Sequence, residues 1–158
     1  MQTILLCADT DGERITEQVD SITSLPLEQD RVRVLVYHVF RTDDDEADAA
    51  NLKAVQYATA ELEAAGFEVE VRHTVCCNDF RRNRVCPAVA PELTYSSPYQ
   101  SSGDAVQNIL ETAAAVDADL LSIGGRNRSP TGKALFGSVA QQVMLRSERP
   151  VLFSTAGE

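Results

Sequence analysis

Short apolar runs and helix-period stripes alternate along this chain, and that alternation limits the fold more than any other feature. Residues 3–8 form an apolar run that ends in Asp9-Thr10-Asp11-Gly12, the pattern of a buried strand entering a turn. Ile15, Val19 and Ile22 recur at i, i+4 and i+7, which predicts a helix ending before Pro26. The β-branched and aromatic run Val32–Phe40 predicts a second strand. Leu52, Val55, Thr59 and Leu62 then keep helical spacing up to Gly66, a C-cap candidate. The acidic run Asp43-Asp44-Asp45-Glu46 ahead of them reads as the solvated, dipole-stabilised start of that helix rather than as a metal cluster. Phe67, Val69 and Val71 alternate with Glu68, Glu70 and Arg72, giving a strand with one wetter face and a peripheral place in its sheet.

Periodicity stops over residues 76–102, where Pro87, Pro91 and Pro98 fall among paired serines, and a stretch this long is usually functional or disordered. It resumes at Asp104, an N-cap candidate for a helix whose apolar face is Val106, Ile109, Leu110, Ala113 and Val116. A fourth strand over residues 119–123 leads into the glycine-containing stretch 124–139. Val139, Val143 and Met144 then predict a helix, and residues 150–155 a fifth strand opened by Pro150. Five strands alternating with four helices predict one α/β domain spanning residues 1–158, a parallel sheet with helices on both faces. In such sheets ligands bind beyond the strand C-termini where the strand order reverses. Asp9 and Gly124 are both expected on that rim. Strand, glycine loop and helix in succession make residues 124–139 a candidate phosphate cradle, since a helix start presents free N–H groups to an anion.

The pattern resembles the universal stress protein family, and it does so over nearly the whole chain outside residues 76–102. The most specific part is the C-terminal signature Gly-x2-Gly-x9-Gly-Ser/Thr of nucleotide-binding members. Here Gly124 and Gly137-Ser138 match it, while Asn127 occupies the second glycine position; Asn tolerates left-handed backbone geometry better than most residues. The resemblance implies a doubly wound five-stranded sheet in the order 3-2-1-4-5. It also implies an ATP site: Asp9 toward adenine and ribose, Val39 meeting adenine through its backbone, and Gly124, Arg126 and Asn127 near ribose and phosphates. Gly137, Ser138 and Val139 would give N–H and hydroxyl groups to phosphate. A divalent ion on the triphosphate, Mg²⁺ or Mn²⁺, and a homodimer paired through the last strand are implied by the resemblance as well.

Other signals are weaker. The stretch is not a P-loop, because Gly132-Lys133 is followed by Ala134 and the required earlier glycine is Asn127. His38 reads as a satisfied rim histidine, and no catalytic residue is assigned. At most slow ATP hydrolysis is expected of a stress-response sensor or regulator. Two alternatives remain: a nucleotide-free dimeric interaction module, and a thiol or metal redox sensor using Cys76, Cys77 and Cys86, with His73 nearby in sequence. Adjacent Cys76-Cys77 lacks the usual zinc spacer, so no metal ligands are assigned. Arg81, Arg82 and Arg84 form a basic patch that reads either as a solvated loop or as a phosphate-binding lid. A net charge of −10 disfavours nucleic acid and anionic membranes and fits a salt-adapted cytoplasm. The start of the chain lacks the charged beginning of a secretion signal and no run is long enough to span a bilayer, so a cytoplasmic protein is expected.

Overall fold

Gln2–Cys7 (β1) is the centre of the sheet, pairing in parallel with Val32–Phe40 (β2) on one side and Leu120–Gly125 (β4) on the other. The computed structural model describes residues 1–40, 48–75, 105–125 and 137–155. Glu68–Val75 (β3) adds to β2 and Val151–Thr155 (β5) to β4, so all five strands run parallel in the order β3-β2-β1-β4-β5. This is the predicted doubly wound arrangement, with β3 at one edge. Helices Gly12–Thr23 (α1) and Lys53–Ala64 (α2) cover one face, and Ala105–Ala115 (α3) and Ser138–Arg146 (α4) the other.

Strand alternation sorts the core into two layers. Ile4, Leu6, Val34 and Val36 meet the α1 stripe of Ile15, Val19 and Ile22 and the α2 stripe of Val55, Ala58 and Leu62. Leu5, Leu35, Leu121 and Ile123 point the other way, against Val106, Ile109 and Ala113 of α3 and Ala140 and Val143 of α4. Period 2 in the strands and period 3.6 in the helices thus come from one requirement, that each element bury one apolar face.

Two boundaries differ from the sequence reading. A single 3-10 turn, Ala49–Asn51, precedes α2, which starts at Lys53 without an acidic residue in its first turn. The acidic run 43–46 lies outside the described residues, and the N-cap of α2 is Leu52. The second difference is in β4. Gly124 and Gly125 are not the opening of a loop but the last two strand residues, pairing with Ser154 and Thr155 of β5. Neither has positive φ; close packing is what their positions require. A Cβ on Gly124 would lie 3.1 Å from the Gln18 Oε1 and 3.2 Å from the Arg14 Cβ, and one on Gly125 would run into the Phe153 ring.

Gly66 acts as predicted. With φ of +95° it ends α2, the Phe67 N–H reaching the Leu62 carbonyl at 3.1 Å and the Gly66 N–H the Glu63 carbonyl at 3.0 Å, a Schellman motif. Phe67 and Leu62 share the buried layer beneath it. The nearest atom to an added Cβ is 3.8 Å away, so a substitution here is opposed by backbone conformation and not by space. Gly66→Ala is expected to cost about 1 kcal/mol from forcing left-handed geometry on an L residue, read as a lower urea midpoint at unchanged slope.

Candidate nucleotide-binding cleft

Beyond Cys7 and Ile123 the ladder between β1 and β4 ends, and the two halves of the chain leave the sheet on opposite faces. A cleft of about 700 Å³ opens there, bounded by the C-terminal ends of β1, β2 and β4, the first turn of α4 and the start of α3. Of the residues assigned from sequence, Asp9, Val39, Gly124, Gly137, Ser138 and Val139 all line it. Arg126 and Asn127 fall outside the described residues, as do Cys76, Cys77, Cys86 and the arginines at 81, 82 and 84.

Asp9 follows β1 directly and is held on both oxygens. Its Oδ1 accepts the Asp11 N–H at 2.6 Å, and its Oδ2 pairs with the Arg14 guanidinium. Asp11 in turn is the N-cap of α1, accepting the Glu13 N–H at 3.1 Å and the Arg14 N–H at 3.4 Å, while Arg14 Nη2 donates to its Oδ2 at 3.1 Å. Arg14 therefore joins two carboxylates across the start of α1. Desolvation alone would raise the Asp11 pKa, but the Arg14 and Glu13 hydrogen bonds and the Arg14 charge together outweigh it and hold the carboxyl below its usual value.

On β2, the Ala8 N–H donates to the Tyr37 carbonyl at 2.8 Å, so Tyr37 directs its main-chain groups toward β1. Alternate strand residues do the same, and Val39 thus turns its N–H and C=O to the side where β1 has ended. Its side chain packs with the α3 and α4 layer. His38, on the opposite face, is buried with Nδ1 at 2.8 Å from the Ala8 carbonyl. A carbonyl only accepts, so Nδ1 carries the hydrogen. The ring packs edge-on against Phe40 at 4.6 Å between centroids, a satisfied rim histidine as its sequence context suggests.

The far wall is the start of α4. Gly137 is its N-cap with extended backbone and offers no capping side chain. The first intrahelical bond runs from the Gln141 N–H to the Gly137 carbonyl at 2.9 Å. The N–H groups of Ser138, Val139 and Ala140 precede it and have no partner within the helix, leaving an array of donors and the positive end of the dipole at the cleft. Carboxylate and exposed strand backbone lie at one end, helix N–H groups at the other.

A model of the universal stress protein family matches residues 1–154. The chain belongs to the universal stress protein family. A universal stress protein from Mycolicibacterium smegmatis is 49% identical over 49 residues, 31% of this chain and 38% of that protein. The stress response protein NhaX of Bacillus subtilis is 36% identical over 50 residues, 32% of this chain and 30% of that one. Each match spans well under half the length of the curated relative. Among solved structures, a universal stress protein from Archaeoglobus fulgidus superposes with a TM-score of 0.62 at 26% identity, covering 98% of both chains. A universal stress protein in complex with cAMP gives 0.60 at 21%, covering 99% of this chain and 98% of that one. An A. fulgidus member in complex with dAMP gives 0.59 at 19%, covering 98% of both. The last two likenesses are of fold.

Arg14, Cys7 and Gly125 also border the cleft and were not assigned from sequence. Arg14 was findable: it stands three residues after the α1 N-cap, the spacing at which a first-turn cation reaches back to a capping carboxylate. Cys7 faces the α3 and α4 layer and is half-buried; burial pushes its thiol up to about 12. It is expected to remain unmodified by iodoacetamide at pH 8 in the native protein while reacting after unfolding, read by peptide mass. Asp11→Ala is expected to lose about 1 kcal/mol through the missing cap. Because the folded-state pKa is lowered, the charge-dependent part of that loss is present above the unfolded Asp value. It fades as pH falls through the folded one, so urea midpoints of variant and wild type converge in acid.

Proposed function

We propose that this protein binds an adenine nucleotide, with ATP the intended ligand, in the cleft at the β1/β4 divergence, and acts as a stress-response sensor or regulator. The observation that carries the reading is the meeting of Asp9 and the Val39 backbone with the open N-terminus of α4 in one space. A volume of about 700 Å³ suits a nucleotide, within the several-hundred-Å³ range usual for ligand sites. Asp9 accepts hydrogen bonds from sugar hydroxyls or the base, Val39 presents backbone groups to an adenine edge, and Ser138 and Val139 direct N–H groups to phosphate oxygens. The cAMP and dAMP complexes of fold relatives support an adenine nucleotide as the ligand class.

Among the described residues, no group of three His, Cys, Asp or Glu side chains comes together to hold a metal ion, and Asp9 is already engaged by Arg14. The donor set suits a Mg²⁺ or Mn²⁺ carried by the phosphates better than one resident on the protein. An ion there would offset phosphate charge; binding and orientation fall to the residues named above. We assign no catalytic residue, and turnover above slow hydrolysis is not expected. The half-buried β5 edge strand, with Val151, Leu152 and Phe153, is the surface we propose for a homodimer. Among the described residues no helix is long and apolar enough to cross a membrane.

Calorimetric titration with ATP, AMP and cAMP at fixed Mg²⁺ is the test. Saturable heat with ATP, weakened several-fold by Ser138→Ala, is expected. Absence of heat and of thermal shift at millimolar ATP would remove the nucleotide reading and favour an interaction module without nucleotide.

A further inference from the structure

Among the described residues that line the cleft, Asp9 and Arg14 are the ones with full charges, and they are paired to each other. Arg14 is not arranged as a grip for the ligand. One Nη lies on Asp9, the other on Asp11, and Nε is buried without a partner among the described residues. Its side chain is only 12% exposed, while that of Asp9 is 41% exposed. The start of its stem packs where a Cβ on Gly124 would sit 3.2 Å away, so β4 leaves just enough room for it. The group left facing the cleft is the Asp9 carboxylate. Arg14 orients it and, shared with Asp11, offsets part of its charge.

We propose that Arg14 is a positioning residue that lets an acidic carboxylate share this cleft with a polyanionic nucleotide, an inference that rests on the nucleotide reading above. The chain carries a net charge of −10, so its averaged field does not favour an anion. An unpaired Asp9 would repel the phosphates across the cleft, increasingly with their number. Paired with Arg14, it keeps lone pairs for neutral hydroxyl or amino donors without that repulsion. Arg14 thereby biases the cleft toward charged nucleotides over the uncharged nucleoside, although its own donors stay on carboxylates.

The test is a titration series with adenosine, AMP and ATP on wild type, Arg14→Met, Asp9→Asn and the double variant, at low salt and fixed Mg²⁺. Wild-type binding of ATP comes first; its absence sinks the nucleotide reading and this inference with it. Given that binding, Arg14→Met is expected to lose affinity in the order adenosine, AMP, ATP, with about tenfold on ATP from one uncompensated charge facing several. Asp9→Asn is expected to raise the ratio of ATP to adenosine affinity, and the double variant to return that ratio to near the wild-type value. The ATP deficit of Arg14→Met should also shrink in 1 M salt. Equal losses on all three ligands, or a double variant with a ratio as low as Arg14→Met, would overturn the inference while leaving the nucleotide reading intact. Should Arg14→Met fail to fold by circular dichroism, Asp9→Asn alone still decides: an unchanged or lowered ratio of ATP to adenosine affinity would overturn the inference.

Discussion

Everything at the cleft depends on β1 serving two neighbours that diverge from it. Up to Cys7 it is paired on both sides, to Tyr37 and to Ile123; past that point the chain turns into α1 on one face while β4 leads toward α4 on the other. A central strand that simply stopped would leave main-chain carbonyls buried at the divergence. Gln18 meets that need. Fully buried on α1, it donates Nε2–H to the Cys7 carbonyl at 3.3 Å and to the Ser122 carbonyl at 3.1 Å, with Ser122 Oγ at 3.4 Å. A polar side chain from a helix thus ties together the two strands whose separation creates the cleft, and a buried amide is tolerable because it answers carbonyls that need donors.

The glycine pair of β4 belongs to the same constraint. Gln18 and Arg14 are one turn apart on α1, and both press against the strand at Gly124. On the other face the Phe153 ring occupies the place of a Gly125 side chain. Gly124, the position matched to the first signature glycine, and Gly125 beside it are therefore a packing device at this end of the sheet. They let α1 and the β5 edge close on β4 from opposite sides, and so bring Asp9 and Arg14 up to the rim. Gly66 has the other use of glycine, a left-handed helix end, and the contrast shows that a glycine's meaning comes from its neighbours.

Strands and helices with clean periods were legible in the chain itself. Val32–Phe40 reads as a strand from its β-branched content and is one, and the stripe at Ile15, Val19 and Ile22 is the buried face of α1. The rim position of Asp9 followed from strand direction alone. Less legible were places where tertiary packing overrode local signals. A Gly-Gly pair has weak strand propensity, so Gly124 and Gly125 read as loop, whereas β5 pairing holds them extended. Acidic residues before a helical stripe suggest its first turn, yet a 3-10 turn at Ala49–Asn51 intervenes. Arg14 escaped for another reason: its spacing from Asp11 was legible, but its partnership with Asp9 exists only once the turn at Asp11 has folded the chain back.

That partnership bears on how an acidic chain can hold an anionic ligand. The usual device, a cluster of lysine and arginine side chains around phosphate, competes poorly with a net charge of −10 unless the cations lie at the site. The described part of this cleft uses a different balance. Its attraction for anions comes from the α4 start, a partial charge made of backbone N–H groups that no titration removes. Its carboxylate is matched by one guanidinium that is itself mostly buried. Helix dipole effects fade within a turn and are screened by salt, so they favour an anion only in the immediate space that the divergence of β1 and β4 provides. The same topology that opens the cleft also aims α4 into it, and the charge preference we propose is therefore a consequence of strand order before it is a consequence of any side chain.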